Sequence, residues 1–435
     1  LQGLGNLFPW NSFITAAPYF GMRFCGTDFE TNFENFFSVS FMLAQTLGLT
    51  LAIFYGHLIP LLSQIYVPLS IYAAVFFATT ILVVTKMDAT LLFVITLISA
   101  FACGLCGSVL SGGLFGYAAV FPPRFTGALM SGQGLGGLTV ALASFCTIWA
   151  TKRVDYCSDD DSEECEFTDN WSAFTFFLLA TGILISCIAA FWVLEALPFS
   201  KFYHERSLMV IDDTEDTSTA KANLLSEEVS PPSDAPRKSE TPEPEGEKFE
   251  SLGMDEVMRI FRIVKVPAFS VWMCFAVTIG LFPSITVSIE SENKCDSDNR
   301  FYNDLWVPFM FVVFNFFDLV GRLAAGSIPH LFTADNIWIP VVMRIIFFPL
   351  FFLCNVYGSQ LTTVFVSDAW PIIFMTFFAL SNGYLASLAM MLGPSLVKPN
   401  DMQLTGTIMI FCLTTGLFGG AMFSFVSLYI SNGEI

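Results

Sequence analysis

The stretch Leu305-Trp-Val-Pro-Phe-Met-Phe-Val-Val-Phe-Asn-Phe-Phe-Asp-Leu-Val-Gly-Arg-Leu-Ala-Ala-Gly-Ser-Ile328 carries two charges, Asp318 and Arg322, in an otherwise apolar run. The run is long enough to cross a bilayer as a helix. A charge at the bilayer centre costs about 2.5–3.5 kcal/mol on insertion scales, so charges inside spans are rare and usually functional. Residues i and i+4 share a helix face, so Asp318 and Arg322 can neutralise each other. Phe311 and Asn315 continue the same stripe. That face cannot look at lipid and must line a polar interior or lock a helix interface.

The rest of the chain extends this reading. It is 54% hydrophobic and 13% charged, with 49 Phe among 435 residues. Soluble domains carry about 25% charged residues, which excludes a water-soluble globular class. Apolar runs at 1–20, 36–57, 65–85, 90–121, 125–150, 171–195, 267–289, 305–328, 337–358, 369–392 and 403–430 predict eleven membrane-spanning helices. The 90–121 run exceeds the ~20 residues a span needs, so it must tilt or project. The fold class is therefore an all-α polytopic membrane protein. Leu1 is not an initiator Met, and the first run lacks the h-region and cleavage pattern of a signal peptide.

The formal charge of −19 belongs to solvated loops. Residues 205–250 hold 13 acids against 5 bases, and residues 152–170 hold 8 against 2, together −14 of that total. Residues 198–266, rich in Pro, Ser, Thr and Glu, predict a disordered loop dividing a bundle of six spans (1–197) from one of five (267–435). Lys201, Arg206, Arg259, Arg262 and Lys265 flank it and place it in the cytoplasm. The amino terminus is then cytoplasmic and the carboxyl terminus outside. Within the loop, Arg237-Lys238-Ser239 resembles a basophilic kinase site, which makes a kinase one expected partner; an inert tether is the plainer reading. The same topology puts Cys25, Cys157, Cys165 and Cys295 outside, where oxidation is permitted, and Cys157 and Cys165 can close a short disulfide loop.

Small residues cluster in spans four and five: Gly104, Gly107, Ser108 and Ser111 form one stripe, and Ser131-Gly132-Gln133-Gly134 follows in span five. Such stripes let membrane helices approach closely, and tight packing accounts for most of them. Gln133 differs, since its amide needs partners in a dry environment. Pro9 and Trp10 in span one, and Phe282-Pro283 in span seven, pair an aromatic with a helix-breaking Pro. Arg344 in span nine lies near a span end, and snorkelling to the surface explains it without a site. The three His and the absence of a GxxxxGK[ST] loop offer no metal site, Ser/His/Asp set or ATP site. No enzyme, metal or cofactor chemistry is indicated, nor is nucleic-acid binding. A polyhelical carrier, channel or receptor remains, with polar interior residues scattered as expected for two bundles around a midplane site.

Four strings, Gly3-Leu-Gly-Asn-Leu-Phe-Pro-Trp-Asn11, Ser131-Gly-Gln-Gly134, Phe314-Asn-Phe-Phe-Asp-Leu-Val-Gly-Arg322 and Ser381-Asn-Gly-Tyr-Leu-Ala-Ser387, resemble the equilibrative nucleoside transporters. The resemblance runs from span one to span eleven. It implies a fold like the major facilitator type, alternating access, and facilitated diffusion of nucleosides, with nucleobases also in range; separately, Leu224-Leu225 lacks the acidic residue four positions upstream that a lysosomal dileucine signal wants, which favours the plasma membrane. By the same resemblance, Leu7, Trp10 and Ile14 contact the base, while Asp318 and Arg322 meet the ribose with Asn315 and Phe311 on the same wall. Gly107 and Gly132 match positions where bulk impairs transport. Phe282, Pro283 and Leu417 complete the cavity. Ser111 departs from the family's plasma-membrane members, which carry a Gln there; a hydroxyl reaches less far, so base selectivity is open. Organic-cation carriage and proton coupling through Asp318 are the alternatives within the family, and a scaffold acting through the 205–250 loop is the alternative outside it.

Overall fold

A chain crossing lipid must satisfy each backbone N–H and C=O internally, so apolar runs of this length become helices. The computed structural model describes residues 1–24, 26–27, 29, 33–85, 87–150, 171–203, 253–295 and 299–432. Among these, nine helices have the length and apolarity to cross a membrane. They are α3 (Phe33–Tyr55), α4 (Ser63–Val84), α5 (Ala89–Ala119), α6 (Pro123–Ala150), α7 (Trp171–Ala196), α8 (Met254–Leu281), α9 (Trp306–Ser327), α12 (Ala369–Ser395) and α13 (Met402–Asn432).

The other two expected spans are helical but interrupted. The first is α1 (Gln2–Thr15) and α2 (Ala17–Phe24), with backbone hydrogen bonds from Ala16 to Ser12 and from Phe20 to Ala16 carrying the ladder across the joint. The ninth is α10 (Trp338–Met343) and α11 (Phe347–Phe352), separated by a 3₁₀ turn at Arg344–Ile346. Pro340 and Pro349 lie in that segment, and each removes a backbone donor. Among the described residues, nine helices thus have the length to span, and the two remaining apolar runs are helical in shorter segments.

Two boundaries differ from expectation. Helix α8 begins at Met254 rather than near 267, and Arg259 on this extension forks onto both Asp401 oxygens at 2.9 and 3.1 Å. The predicted disordered segment is thus helical in its last part, because Val257, Ile260 and Val264 continue an apolar stripe into the polar run. Residues 198–203 at the start of that loop are helical too, whereas 204–252, including Ser239, and the Cys157–Cys165 pair lie outside the described residues. Helix α5 is 31 residues long, or about 46 Å at 1.5 Å per residue, and so projects beyond the hydrocarbon as expected. Asp88 starts it by accepting hydrogen bonds from the Thr90 and Leu91 amides.

Helices α1 and α3–α7 pack as one half and α8–α13 as the other. The halves meet along two seams, α6 against α9 and α12, and α5 with α3 against α13. Small residues make both seams close. A Cβ on Gly406 of α13 would overlap the Phe115 backbone of α5, and one on Gly116 would reach Gln403 at 3.0 Å. At the end of the bundle that carries Cys295, Arg300 donates to the carbonyls of Ile148 and Trp149, in the last turn of α6. It is held there by Asp304.

The tightest crossing positions the charged stripe. Helices α9 and α12 touch backbone to backbone: a Cβ on Gly383 would overlap the Asp318 carbonyl oxygen, and one on Gly321 would overlap the Leu380 carbonyl oxygen. Only glycine fits when main chains approach this closely. Gly383→Ala should force the helices apart and destabilise the carboxy-terminal half by about 1–3 kcal/mol. Thermal-stability measurements on detergent-purified protein should then show a Tm lower by several degrees, and an unchanged Tm would mean the crossing yields freely.

Candidate functional site

One helical turn separates Asp318 from Arg322, and the two side chains meet: Arg322 Nε donates to Asp318 Oδ2 at 2.6 Å, with both side chains buried. The second Asp318 oxygen is also engaged, accepting from Asn382 Nδ2 of α12 at 2.7 Å. The Gly321–Gly383 crossing brings Asn382 this near. Arg322 reaches further, with one terminal nitrogen donating to the Met130 carbonyl of α6 at 3.1 Å. The ion pair therefore belongs to one half and touches the other. Among the described residues, the remaining terminal nitrogen of Arg322 has no hydrogen-bond partner.

Helix α6 is shaped to receive this stripe. A Cβ on Gly134 would sit 2.8 Å from Arg322 Cδ, and one on Gly137 would overlap Asn315 Oδ1. Gly132 and Gly136 point to another face of α6, where Gly132 meets Gly3 of α1. The glycines of span five thus serve two contacts, α9 on one side and α1 on the other. Gln133 is buried beside the α1 crossing.

The remaining expected site residues divide into groups. Phe282 stacks on Phe314 at 4.0 Å between ring centroids and tilts against Phe311 at 4.8 Å, which places both next to the charged stripe's helix. Asn315 donates to the Phe311 carbonyl of its own helix. Trp10 is half-buried against Phe41 at 5.0 Å, and Leu7 and Leu417 are half-buried, whereas Pro283 is exposed. Gly107 lies in the core of the amino-terminal half, where a Cβ would stand 2.6 Å from the Tyr72 hydroxyl. Ser111 is buried and donates to Asn6 Oδ1 at 2.9 Å, so span one already satisfies its hydroxyl. The side chain of Ile14 lies outside the described residues.

Arg344 overturns the snorkelling reading. It is 2% exposed and its guanidinium is fully engaged, donating to the Cys274 and Phe378 carbonyls, the Cys274 sulfur, the Ser381 and Thr278 hydroxyls and Asn382 Oδ1. The guanidinium also lies over the Phe378 ring at 4.8 Å. Sequence reading passed over Asn382, although a lone amide within the apolar run Ala369–Ser395 was the available signal. A cavity of about 200 Å³ lies apart from the stripe, among Gln2, Leu114, Tyr117, Phe121, Phe125 and Phe191 of the amino-terminal half.

Comparison with known proteins agrees with this architecture. A family model described as nucleoside transporter matches residues 92–428. The chain is 34% identical to Equilibrative nucleoside transporter 1 of Homo sapiens, covering 98% of this chain and 95% of that protein. It is 32% identical to Equilibrative nucleoside transporter 2 of Mus musculus, covering 98% and 95%. Among solved structures, the major facilitator proton:xylose symporter bound to 6-bromo-6-deoxy-D-glucose superposes with a TM-score of 0.57 at 12% identity, over 99% of this chain and 90% of that one. The fold is thus of the major facilitator type.

Gly134→Ala tests the fit of the stripe to α6. The added methyl should push Arg322 away from Met130 and lower transport about tenfold at unchanged surface abundance, a loss on the scale of one hydrogen bond to a charged group. Full activity would show that Arg322 does not need this berth.

Proposed function

The chain belongs to the equilibrative nucleoside transporter family, and from that premise we propose that it carries nucleosides across the membrane by facilitated diffusion with alternating access. The observation that carries the reading is the Asp318–Arg322 pair, buried where the halves meet and self-neutralised. A neutral solute with hydroxyls suits such a pair, because a hydroxyl can donate to the carboxylate and accept from the guanidinium. Ribose offers two adjacent hydroxyls. Arg322 and Asp318 then take the sugar, with Asn315 and Phe311 beside them. Phe282, Leu7, Trp10, Ile14 and Leu417 supply apolar surface for the base. Gly107, Gly132, Gln133 and Pro283 act through packing and movement, and Ser111 acts through its bond to Asn6.

Two alternatives lose ground on the same geometry. A monoamine carrier needs a carboxylate whose charge is left uncancelled, yet Asp318 is paired with Arg322 and Arg344 adds a second guanidinium nearby. A proton-coupled carrier would route the proton through that same doubly engaged carboxylate.

The protein is a multi-pass membrane protein, and we place it in the plasma membrane with a cytoplasmic amino terminus and an extracellular carboxyl terminus. Cys295 is disulfide-bonded, which suits an oxidising compartment at its end of the bundle. The 205–250 segment then faces the cytoplasm, where a kinase has access to Ser239.

Cells expressing the chain should take up radiolabelled uridine and adenosine saturably, to internal levels no higher than outside, and a pH gradient should not change the rate. Absence of saturable uptake would overturn the transport reading; accumulation driven by a gradient would replace facilitation with coupling. Deleting residues 205–250 should leave transport intact, whereas its loss would favour a scaffold acting through that segment.

A further inference from the structure

Asp318 is held from two sides, and only one holder is visible in its own helix. The other is Asn382, whose amide stands between an anion and a cation. Its Nδ2 donates to Asp318 Oδ1 at 2.7 Å, while its Oδ1 faces Thr278 Oγ1 at 2.6 Å, Arg344 at 3.3 Å and Cys274 Sγ at 3.4 Å. A carboxylate only accepts hydrogen bonds and a guanidinium only donates them. The charges on its two sides therefore fix which way the amide points. With Arg344 in place, Nδ2 must face Asp318.

This arrangement governs the carboxylate. An ionised carboxylate has about four acceptor sites. Arg322 Nε takes one on Oδ2 and Asn382 takes one on Oδ1, so rotation about the carboxyl bond is stopped and the unfilled sites keep one direction. The broken span nine contributes as well. The 3₁₀ turn at Arg344–Ile346 carries the guanidinium to α8 and α12, where it ties Cys274, Thr278, Phe378 and Ser381 around Asn382.

We infer that Arg344 and Asn382 are positioning residues for solute recognition, orienting the Asp318 carboxylate to accept from the vicinal hydroxyls of a ribose. The inference rests on the nucleoside reading and names a part of the site outside the pair itself. Neither residue touches the solute; both act through Asp318.

The test separates sugar recognition from general damage. Inhibition of radiolabelled uridine uptake is measured for uridine, 2′,3′-dideoxyuridine and uracil, in the full-length wild type and in Asn382→Leu and Arg344→Met at matched surface abundance. The wild type should prefer uridine to dideoxyuridine. Both variants should lose about tenfold of that preference while uracil inhibition stays within about twofold. An equal weakening of all three compounds, or no change, would overturn the inference and leave Arg344 and Asn382 as packing groups. A wild type that does not discriminate against 2′,3′-dideoxyuridine would overturn it too. A wild type without uridine uptake would instead fail the transport reading, and the untreated control reveals that first.

Should either variant not reach the surface, Thr278→Val supplies the decision. It removes a donor to Asn382 Oδ1 with little change of volume and should reduce the uridine preference about threefold. An unaltered preference in Thr278→Val would count against the relay.

Discussion

Ions inside an apolar bundle lose their hydration, a penalty of several kcal/mol each that only good geometry and further hydrogen bonds offset. The network around Asp318 in the carboxy-terminal half joins one carboxylate to two guanidiniums, those of Arg322 and Arg344. Asp318 is the shared centre, meeting Arg322 directly and Arg344 through the Asn382 amide. Arg344, which meets no carboxylate directly, spends its donors on carbonyls, hydroxyls, a thiol and the amide, and stacks on an aromatic face. The group carries one excess positive charge if all three are ionised. That excess sits behind Asp318 rather than beside the seam, and it disfavours a cationic solute more than the self-neutral pair alone would.

The charge cluster exists because glycine lets the backbones touch. Gly321 and Gly383 bring α9 and α12 into main-chain contact, and the neighbouring positions in sequence, Asn382 and Arg322, are parts of the network. Moving these helices apart by the width of a methyl group would stretch the Asn382–Asp318 bond beyond hydrogen-bonding range. Fold and site are thus one packing problem: the small residues set the helix separation, and that separation sets whether the buried charges are satisfied.

Much of this was legible in the chain, and the division follows from range. The pairing of Asp318 with Arg322 lies within one turn of one helix, so spacing alone reveals it. Apolar run lengths likewise place the spans. What spacing does not reveal is which helix lies alongside. Arg344 looked like a residue near a span end because its depth depends on α10 and α11 being short pieces around a 3₁₀ turn, with α8 and α12 wrapped about them. Asn382 stood in a string recognised only for its resemblance, and its role depends on two partners in other helices. The glycines of span five read as general packing, whereas Gly132 serves α1 and Gly134 and Gly137 serve α9. The resemblance matched Gly107 to a position where bulk impairs transport and Ser111 to one that carries Gln, whereas spacing could not show that Gly107 lies against Tyr72 or that Ser111 donates to Asn6.

The bonds within a half and those between halves differ in kind, which bears on alternating access. Inside the carboxy-terminal half, Asp318, Asn382, Thr278 and Arg344 bond side chain to side chain, and breaking any one leaves a buried polar group without a partner. Across the seam at α6, two arginines bond to backbone carbonyls: Arg322 to Met130, and Arg300 to Ile148 and Trp149. A carbonyl in mid-helix keeps its own i+4 amide when such a donor leaves, and carbonyls of a last turn are accessible to water. Exchanging the cross-seam bonds therefore strands no carbonyl, and the network behind them persists provided Arg322 finds another acceptor. A half that stays rigid around Asp318 and slides on replaceable contacts is what a rocking carrier requires, and it lets the same carboxylate face the solute from either side.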